Sequence, residues 1–212
     1  MRAVVVAGSE ISVDLDPRGL AAADLLVAVD GGADALARVG VTPALLVGDL
    51  DSVTADTRRA LESRGVEVVL LPVAKDETDL EAALRLIVAR GADDITVYGA
   101  LGGPRLDHLL GNVMLLAAPW PARTTVRLVD HLHEMFLVRR EAEVAGEPGD
   151  LVSLLPLSAE VQGVRTEGLL YPLAGETLTR SETRSVSNQM TGPRARVTHG
   201  EGDLLLIHYR GR

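Results

Sequence analysis

Acidic side chains that follow short apolar runs are the residues of this chain with the clearest chemical potential. Asp49 and Asp51 come just after the run ALLVG at 44–48, and Asp79 lies in the acidic stretch that follows 66–74. If the turn that holds Asp49 and Asp51 is extended, both carboxylates point to one side, because side chains alternate along such a chain. Carboxylates on one side repel each other unless a cation lies between them. Hard oxygen ligands suit Mg²⁺, so the pattern favours a magnesium site.

Glycines and two basic residues accompany the acids. Asp30 opens an Asp-Gly-Gly turn, and a Gly-Gly pair at 102–103 comes shortly before Arg105. Glycines let the backbone approach a ligand closely, and the N-termini of helices favour phosphate groups. Lys75, the single lysine among 21 basic residues, adds positive charge beside the acids. The combination favours a site that binds a magnesium nucleotide and transfers a phosphoryl-type group.

The polar clusters lie where predicted strands end and helices begin. The apolar runs before them are continuous and rich in β-branched residues, which is typical of parallel strands covered on both faces. Thr78 and Glu81 have the spacing of a capping box and predict a helix start there. Ligands of open α/β sheets bind along the carboxyl edge, so the clusters are expected to share one site. The predicted strands are 3–7, 25–29, 44–47, 66–71, 95–98 and 125–129, and the predicted helices are 33–39, 54–63, 79–90 and 106–118.

The pattern changes after residue 131. Short apolar runs separated by Gly and Pro replace the alternation of strands and helices, which predicts a small all-β domain of the sandwich type. The predicted fold class is therefore α/β, an N-terminal mostly parallel sheet flanked by helices, followed by a smaller all-β sandwich, with domains 1–131 and 132–212. The later strands are predicted at 135–138, 151–155, 161–164, 169–170, 184–186, 195–197 and 203–209.

Composition excludes several classes of protein. The chain is 47% apolar and 24% charged, which is typical of a globular protein, and its formal net charge of −9 argues against nucleic-acid binding. It has no cysteine, so disulfides and thiolate metal sites are excluded. No apolar run approaches the roughly 18 residues of a membrane span, and the run at 3–7 is read as a buried strand rather than a signal peptide. A cytoplasmic protein without membrane partners is expected.

Five motifs in order resemble those of the thiamine pyrophosphokinase family. They are DGGAD (30–34), GDLDS (48–52), KDETDLEAAL (75–84), GALGGPRLDHLLGN (99–112) and SVSN (185–188). The resemblance implies transfer of the terminal diphosphate of ATP to the hydroxyl of thiamine, giving thiamine diphosphate and AMP. It also implies an ATP- and Mg²⁺-binding α/β domain, a thiamine-binding β-sandwich domain, and a homodimer whose thiamine pocket lies between the β domain of one subunit and the α/β domain of another.

The resemblance assigns roles to individual residues. The residues implied in catalysis are Asp49, Asp51, Asp79, Asp107, Lys75 and Arg105, and the first three of them would hold Mg²⁺. The residues implied in binding ATP are Asp30, Gly31, Gly32, Ser52, Asp76, Thr78, Gly102, Gly103, His108 and Asn112. The residues implied in binding thiamine are Ser185, Ser187 and Asn188.

Two roles stay open at this point. The general base is not assigned: Asp79 and Asp107 are candidates, although a carboxylate that binds metal is a poor base, and a structural role is favoured for His108. Thiamine is a cationic aromatic molecule, and an aromatic side chain is a natural platform for it. Some family members carry a Trp shortly after the Ser-Asn motif, whereas the stretch 189–193 here has no aromatic residue. Met190, Tyr171 or Trp120 is left to cover the ring.

Two other functions compete with the kinase interpretation. In a phosphohydrolase of the haloacid dehalogenase type, Asp49 would be the nucleophile, Asp51 the acid and Lys75 the charge partner. That motif usually follows the first strand of its domain, whereas two predicted strands precede it here, and the late β domain is foreign to such enzymes. A module that senses a nucleotide or thiamine would bind without turnover, but sensing alone does not need several converging carboxylates.

Overall fold

The computed structural model describes residues 1–8, 15, 19–20 and 22–211. The chain divides into two compact units, Met1–His131 and Leu132–Arg212. Each unit is built from consecutive residues, and each has a core of its own composed mainly of aliphatic side chains.

The first unit contains a six-stranded parallel sheet. Its strands are β1 (Arg2–Ala7), β2 (Leu25–Val29), β3 (Leu45–Gly48), β4 (Glu67–Leu70), β5 (Asp94–Tyr98) and β6 (Thr125–Val129). They have the order β6-β5-β1-β2-β3-β4 in the sheet. The central strands are buried along almost their whole length, as continuous aliphatic runs require, whereas the edge strand β4 is largely exposed.

Four described helices connect these strands: α1 (Gly32–Arg38), α2 (Ala55–Ser63), α3 (Asp79–Ala89) and α4 (Leu106–Leu115). The predicted start of α3 is confirmed, because Thr78 Oγ1 accepts a hydrogen bond of 3.2 Å from Glu81 N. The helix predicted at 106–118 ends earlier, since its last residues form turns ahead of the proline that follows Ala118. None of the described helices is long and apolar enough to cross a membrane.

The second unit is an antiparallel β-sandwich. Its strands are β7 (His133–Val138), β8 (Glu141–Ala145), β9 (Leu151–Pro156), β10 (Glu160–Glu167), β11 (Ala174–Thr179), β12 (Asn188–Gln189), β13 (Arg194–Thr198) and β14 (Leu204–Tyr209). One sheet has the order β12-β9-β14-β7 and the other β11-β10-β13-β8. Apolar side chains from both sheets form a single buried cluster between them. The predicted fold class is confirmed.

Several local predictions in this unit were wrong. The run 169–170 forms an isolated bridge between Leu169 and Met190 rather than a strand. The run 184–186 is a turn, because Ser185 adopts a left-handed backbone with φ of 69°. Strands β8 and β11 were not predicted, since each has few buried apolar positions and so shows no clear alternation of apolar and polar residues.

Candidate active site

One cavity of the first unit opens where the strand order reverses. Strand β1 pairs with β2 on one side and with β5 on the other, so the connections leave its two sides in opposite directions. Such a switch point leaves a crevice at the carboxyl ends of the strands. Gly8 after β1 and Gly99 after β5 both line the cavity, whose volume is about 540 Å³. A Cβ atom at Gly8 would lie 3.0 Å from Gly99 O, so the absence of side chains keeps the crevice open.

Most of the predicted nucleotide-site residues line this cavity, and they come from loops that are far apart in sequence. Gly8 was not predicted, although a glycine directly after a buried central strand is a usable signal. The predicted residues that line the cavity are Asp30, Gly31, Asp49, Asp51, Ser52, Thr78, Asp79, Gly102, Gly103, Arg105, His108 and Asn112.

The DGGAD and GDLDS loops are tied together by hydrogen bonds. Leu50 N donates to Asp30 Oδ1 at 3.2 Å, and Gly31 N donates to Ser52 Oγ at 3.1 Å. Asp30 and Leu50 both have a left-handed backbone, with φ of 45° and 64°. A Cβ atom at Gly48 would lie only 1.7 Å from Asp30 Oδ1, so only glycine allows this approach. Gly48 of one motif thus leaves room for the Asp30 carboxylate of the other, and that carboxylate holds the two loops together.

The turn that holds Asp49 and Asp51 is not extended, so the condition under which alternation would place both carboxylates on one side is not met. Leu50, between them, is left-handed, and Asp51 N donates to Asp49 Oδ1 at 3.1 Å. The physical reason is that the Leu50 side chain is buried in the core of the unit with 6% exposure, which turns the chain tightly. Both carboxylates nevertheless line the cavity.

Asp30 carries the strongest electrostatic signal of the site. Burial raises its pKa from the ordinary value of 3.8 to about 7, and the negative charges of Asp79, Asp49 and Asp51 act in the same direction. The hydrogen bond from Leu50 N opposes this shift only in part. The acids of the cavity are therefore close enough to repel one another.

We predict that Asp30→Asn becomes increasingly stabilising, relative to the wild-type chain, as the pH rises. Between the ordinary pKa of 3.8 and the folded-state pKa of about 7, the folded chain holds a proton that the unfolded chain has lost. The wild-type chain loses stability with rising pH in that window, and the loss is complete above it. Thermal unfolding of both chains with a chelator, across this range, measures the effect. A difference in melting temperature that does not change with pH would contradict the raised pKa.

Lys75 lies four residues before the start of α3 and contacts Asp79, the first residue of that helix. Its Nζ is 3.0 Å from Asp79 Oδ1 and donates a hydrogen bond of 2.9 Å to Pro72 O. The contact with Asp79 raises the pKa of the Lys75 ammonium above its usual value. Asp79 Oδ1 is buried and, among the described residues, it accepts no hydrogen bond of good geometry. This oxygen is available to a second cation.

Asp107 does not take the place predicted for it. Arg105 binds its carboxylate with two contacts, Nε to Oδ1 at 2.8 Å and Nη2 to Oδ2 at 2.5 Å. Both side chains are 64% exposed, and Asp107 is absent from the cavity lining. The paired guanidinium holds the pKa of Asp107 well below its usual range, which also makes it a poor general base. His108, by contrast, is exposed and lines the cavity, so the structural role favoured for it is not supported.

Three further predicted residues lie outside the cavity lining, namely Gly32, Lys75 and Asp76. Gly32 has a structural reason to be glycine, because a Cβ atom there would lie 1.9 Å from Val6 O in the central strand. Asp76 is exposed to solvent. Asn112 lines the cavity and donates a hydrogen bond of 3.0 Å to Ala100 O, which holds the glycine-rich loop after β5.

The described acids of the cavity do not form a complete metal site by themselves. Within the described residues, no three acidic or histidine side chains are close enough to hold a metal ion by themselves. Asp49, Asp51 and Asp79 are therefore not preassembled as a complete ligand set. Mg²⁺ normally keeps several waters and is bound by one or two carboxylates together with substrate phosphates. The buried Asp79 Oδ1 and the mutual repulsion around Asp30 fit a cation bound in this way.

The SVSN motif forms a strained turn in the second unit. Ser185 and Ser187 are left-handed, with φ of 69° and 58°, and Ser187 N donates to Ser153 Oγ at 2.9 Å. Ser185 Oγ donates to Leu154 O at 3.0 Å. Asn188 is buried and hydrogen-bonds the backbone of Tyr171. Left-handed backbone at non-glycine residues is costly and is concentrated at functional sites.

Comparison with known families gives one match in the first unit and another in the second unit. Residues 18–129 match the family model described as thiamin pyrophosphokinase, catalytic domain, and residues 137–202 match thiamin pyrophosphokinase, vitamin B1 binding domain. The chain belongs to the thiamine pyrophosphokinase family. The haloacid dehalogenase-like alternative has no support from these matches.

Individual relatives agree with this placement in the thiamine pyrophosphokinase family. Thiamine pyrophosphokinase of Bacillus subtilis (strain 168) is 30% identical over 185 residues, which cover 86% of this chain and 86% of the relative. The crystal structure of thiamine pyrophosphokinase from Bacillus subtilis has a TM-score of 0.89 at 28% identity and covers 100% of both chains. That of thiamin pyrophosphokinase from Geobacillus thermodenitrificans has a TM-score of 0.85 at 29% identity and covers 100% of this chain and 98% of the other.

Proposed function

We propose that this chain is a thiamine pyrophosphokinase that transfers the diphosphate of ATP to the hydroxyl group of thiamine, giving thiamine diphosphate and AMP. The observation that carries this proposal is the cavity at the switch point, where the acids and glycine loops of four family motifs converge. A sensing module would not need this convergence of carboxylates, because binding without turnover requires no charge to be neutralised in a transition state.

The glycine-rich loops supply the binding surface for ATP. Gly31 and the pair Gly102 and Gly103 present backbone without side chains to the cavity, which allows close approach to phosphate oxygens. Arg105 lines the same cavity, and its guanidinium, which contacts Asp107 in the structure, would add positive charge beside the phosphates. Ser52, Thr78, His108 and Asn112 complete the polar lining. We propose that these groups bind the nucleotide and hold its phosphate chain in one orientation.

Asp49, Asp51 and Asp79 are the residues that would hold Mg²⁺. When bound, the ion would neutralise charge that develops on the phosphate oxygens. Lys75 keeps the carboxylate of Asp79 in place through their 3.0 Å contact and contributes positive charge from the protein side. Raising the local positive charge lowers the barrier to phosphoryl-type transfer, in which positioning and electrostatics supply most of the rate.

The transfer forms one phosphorus–oxygen bond, breaks another, and releases the proton of the attacking hydroxyl. The hydroxyl oxygen of thiamine attacks the β-phosphorus of ATP in line, the bond from that phosphorus to the oxygen bridging the α- and β-phosphates breaks, and AMP leaves with that oxygen. The hydroxyl proton is released in the same exchange. The ion pair with Arg105 disfavours Asp107 as its acceptor, because it lowers the pKa of that carboxylate. The chain positions both substrates, and Ser185, Ser187 and Asn188 are proposed to serve thiamine.

The nucleotide product tests this function directly. Purified chain incubated with ATP, MgCl₂ and thiamine is expected to yield AMP and thiamine diphosphate in equal amounts. Phosphorus NMR or chromatography with nucleotide standards measures both products. Reactions without thiamine and with a chelator serve as controls, and each should give no AMP. Formation of ADP with thiamine monophosphate, or of phosphate without a thiamine product, would exclude the proposed transfer.

We also propose that the chain acts as a cytoplasmic homodimer, with thiamine bound where the subunits meet. The resemblance supports the dimer, and the cytoplasm supplies ATP as co-substrate. Exposed apolar side chains recur at every fourth residue of α4, with Leu106, Leu110 and Met114 exposed by 72%, 58% and 55%. An apolar stripe of this kind favours burial against a partner. The mass of the purified chain in solution tests the dimer, and a monomer under assay conditions would contradict it.

A further inference from the structure

Aromatic side chains are rare in this chain, and one of them is unlike the others. The five Phe, Trp and Tyr residues all lie in the part of the chain that the structure describes. Trp120 and Phe136 are each only 8% exposed, and Tyr98 and Tyr209 are partly buried. Tyr171 is 69% exposed. An exposed aromatic ring loses little conformational entropy when it binds a flat ligand, because its side chain has only two rotatable bonds.

The backbone of Tyr171 is held from both sides by one side chain of the SVSN motif. Tyr171 N donates to Asn188 Oδ1 at 3.1 Å, and Asn188 Nδ2 donates to Tyr171 O at 2.7 Å. Gln189 N donates to the same Oδ1 at 2.9 Å. Both acceptor positions of the Asn188 amide are thereby used, and its side chain is buried at 5% exposure. The amide thus fixes the Tyr171 loop.

The residues on either side of Tyr171 are equally constrained. Leu169 and Leu173 are buried in the core of the sandwich with exposures of 5% and 7%. Leu173 N donates to Thr166 Oγ1 at 2.9 Å. Pro172 restricts the backbone of Tyr171 to extended conformations. The exposure of the ring therefore comes from a rigid loop and not from a loose one.

The other two candidates for covering thiamine are occupied elsewhere. Met190 is 2% exposed and belongs to the buried cluster between the sheets. Trp120 is buried in the first unit, and its indole Nε1 donates to Leu115 O at 2.7 Å. Neither side chain can present a face to a ligand without leaving its packed position. Among the three candidates that the sequence left open, Tyr171 alone has a side chain that is accessible to a ligand.

We propose that Tyr171 is the aromatic platform against which the cationic thiazolium ring of thiamine lies, and that Asn188 is a positioning residue that holds this platform. The proposal rests on the proposed function for its ligand. A flat cation over a phenol ring gains cation–π attraction and apolar contact together. Ser187 lies next to Asn188, and its hydroxyl makes no hydrogen bond with any described residue, so a polar group is available beside the ring.

Substitutions at Tyr171 test the platform. Tyr171→Ala is expected to raise the thiamine KM about tenfold, with kcat and the ATP KM within about twofold of wild type, because a contact made equally in ground and transition states affects KM alone. Tyr171→Phe keeps the ring and should keep the KM within about twofold. Tyr171→Leu keeps apolar bulk without a ring and should resemble Ala. Leu170→Ala, at a neighbouring side chain with 50% exposure, is the matched control and should leave the KM unchanged.

Two results of this series would overturn the platform. One is a thiamine KM of Tyr171→Ala that stays within about twofold of wild type, and the other is full recovery by Tyr171→Leu. Failure of the proposed function is distinguishable, because the wild-type chain itself would then make no AMP from ATP and thiamine. Thiamine binding to each variant by calorimetry, without ATP, gives the same ranking independently of turnover.

A double-variant cycle tests the role of Asn188. If Asn188 acts through Tyr171, Asn188→Ala should raise the thiamine KM about tenfold, and the double variant should show no further rise. If Asn188 instead contacts thiamine directly, the two effects should multiply to about a hundredfold, which would overturn the positioning role. Asn188→Asp, which keeps both acceptor bonds and loses the donor to Tyr171 O, should fall between wild type and Ala. Melting temperatures report folding, and should Asn188→Ala not fold, the cycle is run with Asp.

Discussion

Asp51→Asn is expected to lower turnover by about a hundredfold or more while the chain stays folded. Its carboxylate lines the cavity, is exposed, and makes no hydrogen bond or ion pair with any residue in the described part of the chain. Removing its charge therefore costs the fold little, whereas the loss of one charge that stabilises a transition state typically costs about 10²–10³ in rate. Measurement of kcat for AMP formation, together with the melting temperature, separates the two effects.

Asp56→Asn is the matched control for this substitution. Asp56 lies five positions along the chain, is 90% exposed, and pairs with Arg59 on the surface of α2. The Asp56→Asn substitution makes the same chemical change at a site outside the cavity lining, so kcat should stay close to the wild-type value. If Asp51→Asn retained more than about a tenth of wild-type turnover, Asp51 would have no place among the groups that hold Mg²⁺.

Gly32→Ala is expected to lower the free energy of unfolding by about 3 kcal/mol or more. The added Cβ atom would lie 1.9 Å from Val6 O and 2.6 Å from Val6 C, both backbone atoms of a residue that is fully buried in the central strand β1. Neither β1 nor α1 can move away without loosening the core between them. For a chain of this size the change corresponds to a fall in melting temperature of roughly 10 °C. Thermal and urea unfolding measure it.

Gly111→Ala makes the same chemical change where space is available. Gly111 lies within α4, and a Cβ atom there would have nothing within 4 Å. Alanine has the higher helix propensity by about 1 kcal/mol, so this variant should be as stable as wild type or slightly more stable. An unchanged melting temperature of Gly32→Ala would show that α1 and β1 do not approach as closely as described.

Much of the first unit could be predicted from sequence because its signals are local. The strands of the parallel sheet are continuous aliphatic runs, and Thr78 with its bond to Glu81 N marks the start of α3 three residues away. Strands β8 and β11 escaped prediction for the opposite reason. Their pairing with β13 and β10 depends on residues far along the chain, and their own side chains are mostly exposed and polar.

The site shows the same division between local and long-range information. Asp107 was expected among the cavity acids, but Arg105, only two residues away, binds its carboxylate at the surface. The pairing of buried His208 with Asp150, at 3.1 Å and across 58 residues, was not predicted because no nearby sequence pattern encodes it. Side-chain pairing is decided by which groups meet and how deeply they are buried.

The sequence by itself determined the fold class, the family motifs and the kinds of group that serve the chemistry, because these depend on residue type and on spacing along the chain. Only the tertiary structure decided the left-handed turn at Leu50, the raised pKa of Asp30 and the exposure of Tyr171. Each of these depends on burial and on charges or amides that come from other loops. Such distances are set by packing, since a buried leucine or an approaching glycine fixes where a neighbouring polar side chain can lie.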